Sequence, residues 1–283
     1  MTWSIEGRTV LVTGASNGLG LATSVELARR GATVVMVGRD LTRTTAAVEI
    51  VRARTGARPS YLLADFSSQA STRKLAAAFL DRHDRLDVLV NNAGGVHSTR
   101  RLTEDGIEAT FAVNHLGYFL LTHLLLDRLL ASAPARVVTV ASAGHRGATL
   151  DFDDLGFERG YAIMKAYGRS KLANVLFAAE LARRLEGSGV TSNSLHPGAV
   201  DTGIWSGAPV WAKPLIRVFA RPFFASPQRG AEPIVRLVTD PALEDVTGRY
   251  FEKGVPVDPD PLAQDEAVAA RLWDVSATLV RSI

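Results

Sequence analysis

The feature that most constrains this chain is a glycine cluster behind a short apolar run, Arg8-Thr-Val-Leu-Val-Thr-Gly-Ala-Ser-Asn-Gly-Leu-Gly-Leu-Ala-Thr23. The run stops at Gly14 and gives way to helical periodicity, which predicts a strand, a tight turn and a helix start. Gly14, Gly18 and Gly20 remove side chains where the backbone must turn and come close to a ligand. The helix beginning near Gly18 aims unpaired N–H groups and the positive end of its dipole at that place, which suits a pyrophosphate. The spacing is Thr-Gly-x-x-x-Gly-x-Gly, so the G-x-G-x-x-G dinucleotide fingerprint is met only in outline. A glycine-rich connection without a ligand is the alternative.

Apolar runs and amphipathic stretches alternate along the chain, the pattern of a parallel sheet covered by helices on both faces. Strands are expected at 9–12, 33–37, 60–64, 88–91, 136–141, 191–195 and 249–251. Helices fall between them, the second after the N-cap candidate Asp40 and the third after Asp65-Phe-Ser-Ser68. The fold expected is α/β, a single Rossmann-type doubly wound domain with a seven-stranded, mostly parallel sheet. No proline-rich or glycine/serine-rich linker and no repeat divides the 283 residues, so 1–283 are expected to form one domain.

The net charge of +3 comes from an arginine excess spread along the chain, which argues against a nucleic-acid partner. With no cysteine in the sequence, disulfides, thiolate metal sites and cysteine nucleophiles are excluded. His115, His145 and His196 lack a metal-ligand pattern and receive no catalytic role. The first strand starts almost at the N-terminus, so neither signal peptide nor membrane-spanning segment is expected, and a cytoplasmic location is.

In Ala166-Tyr-Gly-Arg-Ser-Lys-Leu-Ala-Asn174 a tyrosine and a lysine four residues apart share one helix face. A positive charge favours the phenolate, so Lys171 is expected to bring the Tyr167 phenol, ordinarily near ~10, toward working pH. Taken alone, such a pair is common on amphipathic helix surfaces.

With Asn91-Asn-Ala-Gly94 and Asn114, these motifs make the chain resemble the short-chain dehydrogenase/reductase family over most of its length. The likeness is greatest to the retinol dehydrogenase-like branch. It runs through Phe111-Ala-Val-Asn-His-Leu-Gly-Tyr-Phe-Leu-Leu-Thr122, Tyr167-Gly-Arg-Ser-Lys-Leu-Ala-Asn-Val-Leu-Phe177, Leu195-His-Pro-Gly198 and Gly248-Arg-Tyr-Phe251. The resemblance implies an oxidoreductase using a nicotinamide cofactor. It gives Ser142 the role of donating to the substrate oxygen and Tyr167 that of giving or taking the proton. Lys171 lowers the tyrosine's pKa and holds the nicotinamide ribose, and Asn114 orders a water on the proton path. Cofactor contacts are implied at Gly14, Ser16, Asn17, Gly18, Leu19 and Gly20, and at Asp65, which resembles the family aspartate at the adenine, with Phe66. Further contacts fall on Asn92, Ala93 and Gly94, on Tyr167 and Lys171, and on Pro197, Gly198, Val200 and Thr202. Vertebrate members of the branch are often membrane-anchored, whereas this chain is expected to be soluble. Many relatives pair through the helices holding Asn114 and Tyr167, which leaves a homodimer or homotetramer open.

At the end of the second strand an acidic residue would hold the adenosine ribose and repel a 2′-phosphate. Gly38-Arg39 stands there instead, and a planar guanidinium suits phosphate, so Arg39 favours NADP(H) over NAD(H). Asp40 is open to two roles, ribose acceptor or helix cap. The insertion 144–160 between Ser142 and Tyr167, similar to one in the resembled branch, is expected to form a wall of the substrate site. A segment at about 200–230, crowded with Trp205, Trp211, Phe219, Phe223 and Phe224, is expected to close as a lid over a lipophilic carbonyl or alcohol substrate. The function expected is NADPH-dependent hydride transfer between the nicotinamide and a hydrophobic ketone or aldehyde, or a secondary or primary alcohol. The alternative is a dinucleotide-sensing or scaffold protein with little turnover, against which the Ser, Tyr, Lys and Asn set argues.

Overall fold

The computed structural model describes residues 3–198 and 225–281. Its strands are β1 (Thr9–Thr13), β2 (Thr33–Gly38), β3 (Ser60–Leu63), β4 (Val88–Asn91), β5 (Ala135–Val140), β6 (Val190–His196), β7 (Tyr250–Glu252) and β8 (Val255–Val257). They form one sheet in the order β3-β2-β1-β4-β5-β6-β7-β8, parallel throughout except for the β7–β8 pair. The seven strands expected from sequence are present with ends shifted by at most a residue; the eighth corrects the count. β8 is joined to β7 by Lys253 and Gly254, whose φ angles of +49° and +79° suit a two-residue hairpin turn. Pro256 makes this triplet unlike a strand by sequence, and its missing N–H is tolerated because β8 lies at the edge of the sheet.

The helices are α1 (Gly18–Arg29), α2 (Leu41–Thr55), α3 (Gln69–Arg82), α4 (Ala109–Phe111), α5 (Gly117–Leu124), α6 (Leu126–Ala131), α7 (Ile163–Arg184), α8 (Pro227–Thr239) and α9 (Glu266–Arg281). Side-chain alternation along the strands divides the core into two layers. Val10 and Val12, Val34 and Met36, and Val88 and Val90 point to one face and pack with Leu27 of α1, Val51 of α2 and Ile234 of α8. Leu11, Val35, Leu89 and Val137 point to the other and meet Phe79 of α3, Leu121 of α5, Leu172 of α7 and Leu272 of α9. Each Val or Leu so buried contributes ~1.5–3 kcal/mol relative to exposure. Because both faces are covered, the central strands read as unbroken apolar runs, which is why they were legible in the sequence.

β1 lies between β2 and β4, so the direction of winding reverses there. In open α/β sheets ligands bind at such a reversal, beyond the carboxyl ends of the strands. The glycine cluster follows β1 and Asn91-Asn-Ala-Gly94 begins at the end of β4, so both motifs frame that crevice. Among the described residues no helix is long and apolar enough to cross a membrane.

Candidate active site

The loops after β1 and β4 are stitched into one cradle. Thr13 Oγ1 accepts from the N–H groups of Asn92 (2.8 Å) and Ala93 (3.0 Å), and Asn92 Nδ2 donates to the Thr13 carbonyl at 2.8 Å. Gly14 has φ +65°, and a Cβ on it would stand 2.8 Å from Ala93 Cα. A Cβ on Gly20 would meet the Gly14 carbonyl oxygen at 2.3 Å and Asn92 Nδ2 at 2.7 Å. Gly20 therefore serves close packing of α1 on its own loop, beyond any approach of a ligand. α2 and α3 are capped by Asp40 and Ser68, which accept from the N–H groups of Arg43 and Ser71, whereas α1 receives no side-chain cap from Asn17. Its first-turn donors are left for an anion, and the cradle fits a pyrophosphate.

A cleft of about 750 Å³ takes in this cradle, within the range of small-molecule sites. From the first loop its walls include Gly14, Ser16, Asn17, Leu19 and Gly20, and from the β2 and β3 ends Arg39, Asp65 and Phe66. Asn92, Ala93 and Gly94 line it, as do Ser142, Tyr167, Lys171, Pro197 and Gly198. Gly18, with φ +52°, starts α1 behind the wall. Val200, Thr202 and the five aromatic residues expected in the lid lie outside the described residues. Arg43 in the first turn of α2 and Met164 in that of α7 also line the cleft. Sequence reasoning missed both, although helix periodicity places Met164 on the face of Tyr167, which it did single out.

Arg39 is exposed, with its guanidinium 3.8 Å from Asp65 Oδ2. The Asp40 carboxylate accepts from the Arg43 N–H at 2.8 Å, so the cap reading holds for this residue. Asp65 Oδ1 accepts from the Ser67 N–H at 2.9 Å and hydroxyl at 2.7 Å, turn chemistry that fixes the carboxylate beside Arg39.

Ser142 stands two residues beyond β5 and opens a 3₁₀ turn, Ala143–His145, where its Oγ accepts from the Gly144 N–H at 3.1 Å. Tyr167 reaches it from the first turns of α7, and the Ser142 hydroxyl opposes the rise in the Tyr167 pKa that burial causes. One turn on, the buried Lys171 ammonium donates to the Val140 carbonyl at 2.9 Å and lies 5.7 Å from the Tyr167 ring centroid. The expectation that Lys171 lowers the phenol is not met. Burial raises the Tyr167 pKa above its ordinary value, and the same desolvation pushes Lys171 down to about 7, which weakens the positive charge it could bring.

Asn114 sits in a π-helical turn, Ala112–Leu116, between α4 and α5. Its amide is engaged within the protein: Oδ1 accepts from the Gly95 N–H at 2.9 Å, and Nδ2 donates to the Gly95 carbonyl and Ser170 Oγ, both at 3.0 Å. The side chain thus pins the loop after β4 to α7. Tyr118, four residues on and fully buried, holds the same loop by donating to the Ala93 carbonyl. Tyr118, Thr13 and Gly95 were missed as supports, though the first two stand inside motifs the sequence displays.

Of residues 144–160, Gly144 alone lines the described cleft. Arg169 draws the rest against α7, donating to the carbonyls of Thr149 at 3.1 Å and Asp154, with its guanidinium 3.6 Å from the Phe157 ring centroid. Arg100 holds the Gly156 carbonyl at 2.8 Å.

The sequence model of the short chain dehydrogenase family matches residues 8–212. Retinol dehydrogenase 13 of Homo sapiens is 43% identical, over 98% of this chain and 86% of its own length. The crystal structure of an uncharacterized protein from Mycobacterium Paratuberculosis is similar with a TM-score of 0.80 and 34% identity, covering 99% of this chain and 96% of that one. The Pseudomonas aeruginosa RhlG/NADP active-site complex is similar with a TM-score of 0.71 and 26% identity, over 94% and 98% of the two chains.

Proposed function

This chain belongs to the short-chain dehydrogenase family, in its retinol dehydrogenase-like branch, and we propose that it is an NADPH-dependent oxidoreductase of hydrophobic carbonyls and alcohols. The observation that carries this reading is the meeting of Ser142, Tyr167 and Lys171 on the wall of the cleft that the glycine cradle enters. The cofactor, when bound, supplies hydride chemistry at its nicotinamide. Ser142 donates to the substrate oxygen and orients it toward Tyr167. Tyr167, protonated because burial holds its pKa above the ordinary value, serves as general acid in reduction and as base in the reverse direction. Lys171 anchors α7 to β5 through the Val140 carbonyl and presents its remaining N–H groups to the cofactor ribose.

NADP(H) is favoured by Arg39 and Arg43 on the cleft wall, by an Asp40 already engaged in capping, and by the NADP complex that the similar P. aeruginosa protein forms. A lipophilic substrate is supported by Val96, Val113 and Met164 on the wall, and by a relative whose name states retinol as its substrate. The test is NADPH consumption with a panel of lipophilic aldehydes and ketones that includes retinal, alongside Ser142→Ala. Turnover lost in the variant with NADPH binding kept supports the reading. NADPH binding without turnover across the panel would point to a sensing or scaffold protein.

A further inference from the structure

His145, to which the sequence assigned nothing, joins the serine turn to the C-terminal part of the chain. Its fully buried ring has both nitrogens engaged, Nδ1 at 2.7 Å from the Ser142 carbonyl oxygen and Nε2 at 3.1 Å from the backbone nitrogen of Asp260. A carbonyl only accepts and a peptide N–H only donates, so the two contacts fix a neutral ring with its proton on Nδ1. Asp260 is itself held to the same turn. Its Oδ2 accepts from the Gly147 N–H at 2.9 Å, and its Oδ1 accepts from the Leu262 N–H at 3.1 Å to cap the turn Pro261–Gln264. There is little slack between this turn and the tyrosine, since a Cβ on Gly144 would lie 3.3 Å from Tyr167 Cε1 and 3.5 Å from Ser142 Oγ.

We propose that His145 is a positioning residue for the reaction, holding the Ser142 peptide and hence its hydroxyl in register with Tyr167 while Asp260 lies against it. The proposal rests on Ser142 being the group that meets the substrate oxygen. A proton added at Nε2 would set two donors against each other and break the link to Asp260. The titratable and charged groups facing the ring are Arg146 beside it, Asp260, Glu252 and Tyr250 on β7, and His196 on β6. Burial outweighs the Ser142 carbonyl and these charges and keeps the His145 pKa below the ordinary histidine value. The bridge is therefore complete at neutral pH and fails on the acid side.

The experiment compares His145→Leu, which keeps only bulk, with His145→Asn, which keeps a donor at the δ position and cannot titrate. The measurements are kcat against pH with retinal, or with the panel carbonyl turned over fastest, and NADPH binding by fluorescence. His145→Leu is expected to lower kcat by ~10-fold or more with NADPH affinity within about 2-fold. His145→Asn, which keeps the bond to the Ser142 carbonyl and loses the one to Asp260, is expected to fall between His145→Leu and wild type in kcat and to lack the wild-type acid limb. Should His145→Leu fail to fold, Asp260→Pro and Asp260→Ala replace it. The φ of −55° at Asp260 suits proline, and the pair differs in the N–H that His145 accepts. Asp260→Pro should then be ~10-fold slower in kcat than Asp260→Ala. Equal kcat for His145→Leu and wild type, or for the Asp260 pair, with Ser142→Ala inactive, would overturn the proposal alone. An active Ser142→Ala would overturn both this proposal and the functional reading beneath it.

Discussion

The cradle after β1 and the catalytic group beyond β5 and on α7 share one cleft but are built from different material. The cradle is backbone, and what matters there is the absence of atoms: a Cβ on Gly20 has nowhere to go between the Gly14 carbonyl and Asn92. The catalytic group is side chain, and what matters is the presence of a hydroxyl on Ser142 and on Tyr167. The difference teaches that the two regions should fail separately, the first in cofactor affinity and the second in turnover.

Tyr167→Phe carries the largest expected effect, a fall in kcat of ~100- to 10,000-fold, because one general acid is removed. Ser142→Ala should follow at ~100- to 1,000-fold, the usual loss for one donor to a reacting oxygen. If steady-state kinetics show either variant losing NADPH affinity instead, the division between the regions breaks. Arg39→Ala sharpens it from the other side. Losing a charge-assisted contact costs ~1.5–3 kcal/mol, so KM for NADPH should rise about tenfold or more while KM for NADH barely moves. Equal loss for both cofactors would remove Arg39 from phosphate recognition.

Gly20→Ala should cost ~1–3 kcal/mol through overpacking. A fluorescence titration is expected to show weaker NADPH binding, with kcat at saturating cofactor little changed. A further effect concerns stability rather than cofactor affinity or turnover. Burial places Lys171 at about 7 in the folded chain against an ordinary 10.5, so between these values the unfolded chain binds more protons and this group makes stability rise with pH. The slope is at most about 1.4 kcal/mol per pH unit. Urea unfolding across that window should show the rise in the wild type and a flatter line in Lys171→Met; parallel lines would mean that Lys171 is not desolvated.

The parts legible in the sequence are those whose physics is local. Buried parallel strands write themselves as apolar runs, the cradle as spaced glycines, and the Tyr167–Lys171 face as a helical interval. β8 was not legible, because Pro256 and a Lys-Gly turn give no strand signal until β7 is in place to pair with. Asn114 was legible through the family resemblance, but its π-helical turn and its bonds to Gly95 and Ser170 depend on a loop and a helix, α7, distant in sequence. The Tyr167 pKa departs from its expected lowering for the same reason, since spacing reports which groups meet and is silent about how much water remains around them.

The central claim is that the Tyr167 hydroxyl is needed for turnover and dispensable for holding the cofactor. The most direct measurement is single-turnover oxidation of prebound NADPH by excess retinal, or by the panel carbonyl turned over fastest, in wild type and Tyr167→Phe. NADPH affinity within about 2-fold and oxidation slower by ~100-fold or more is the result this account predicts. Equal oxidation rates in the two proteins would contradict it.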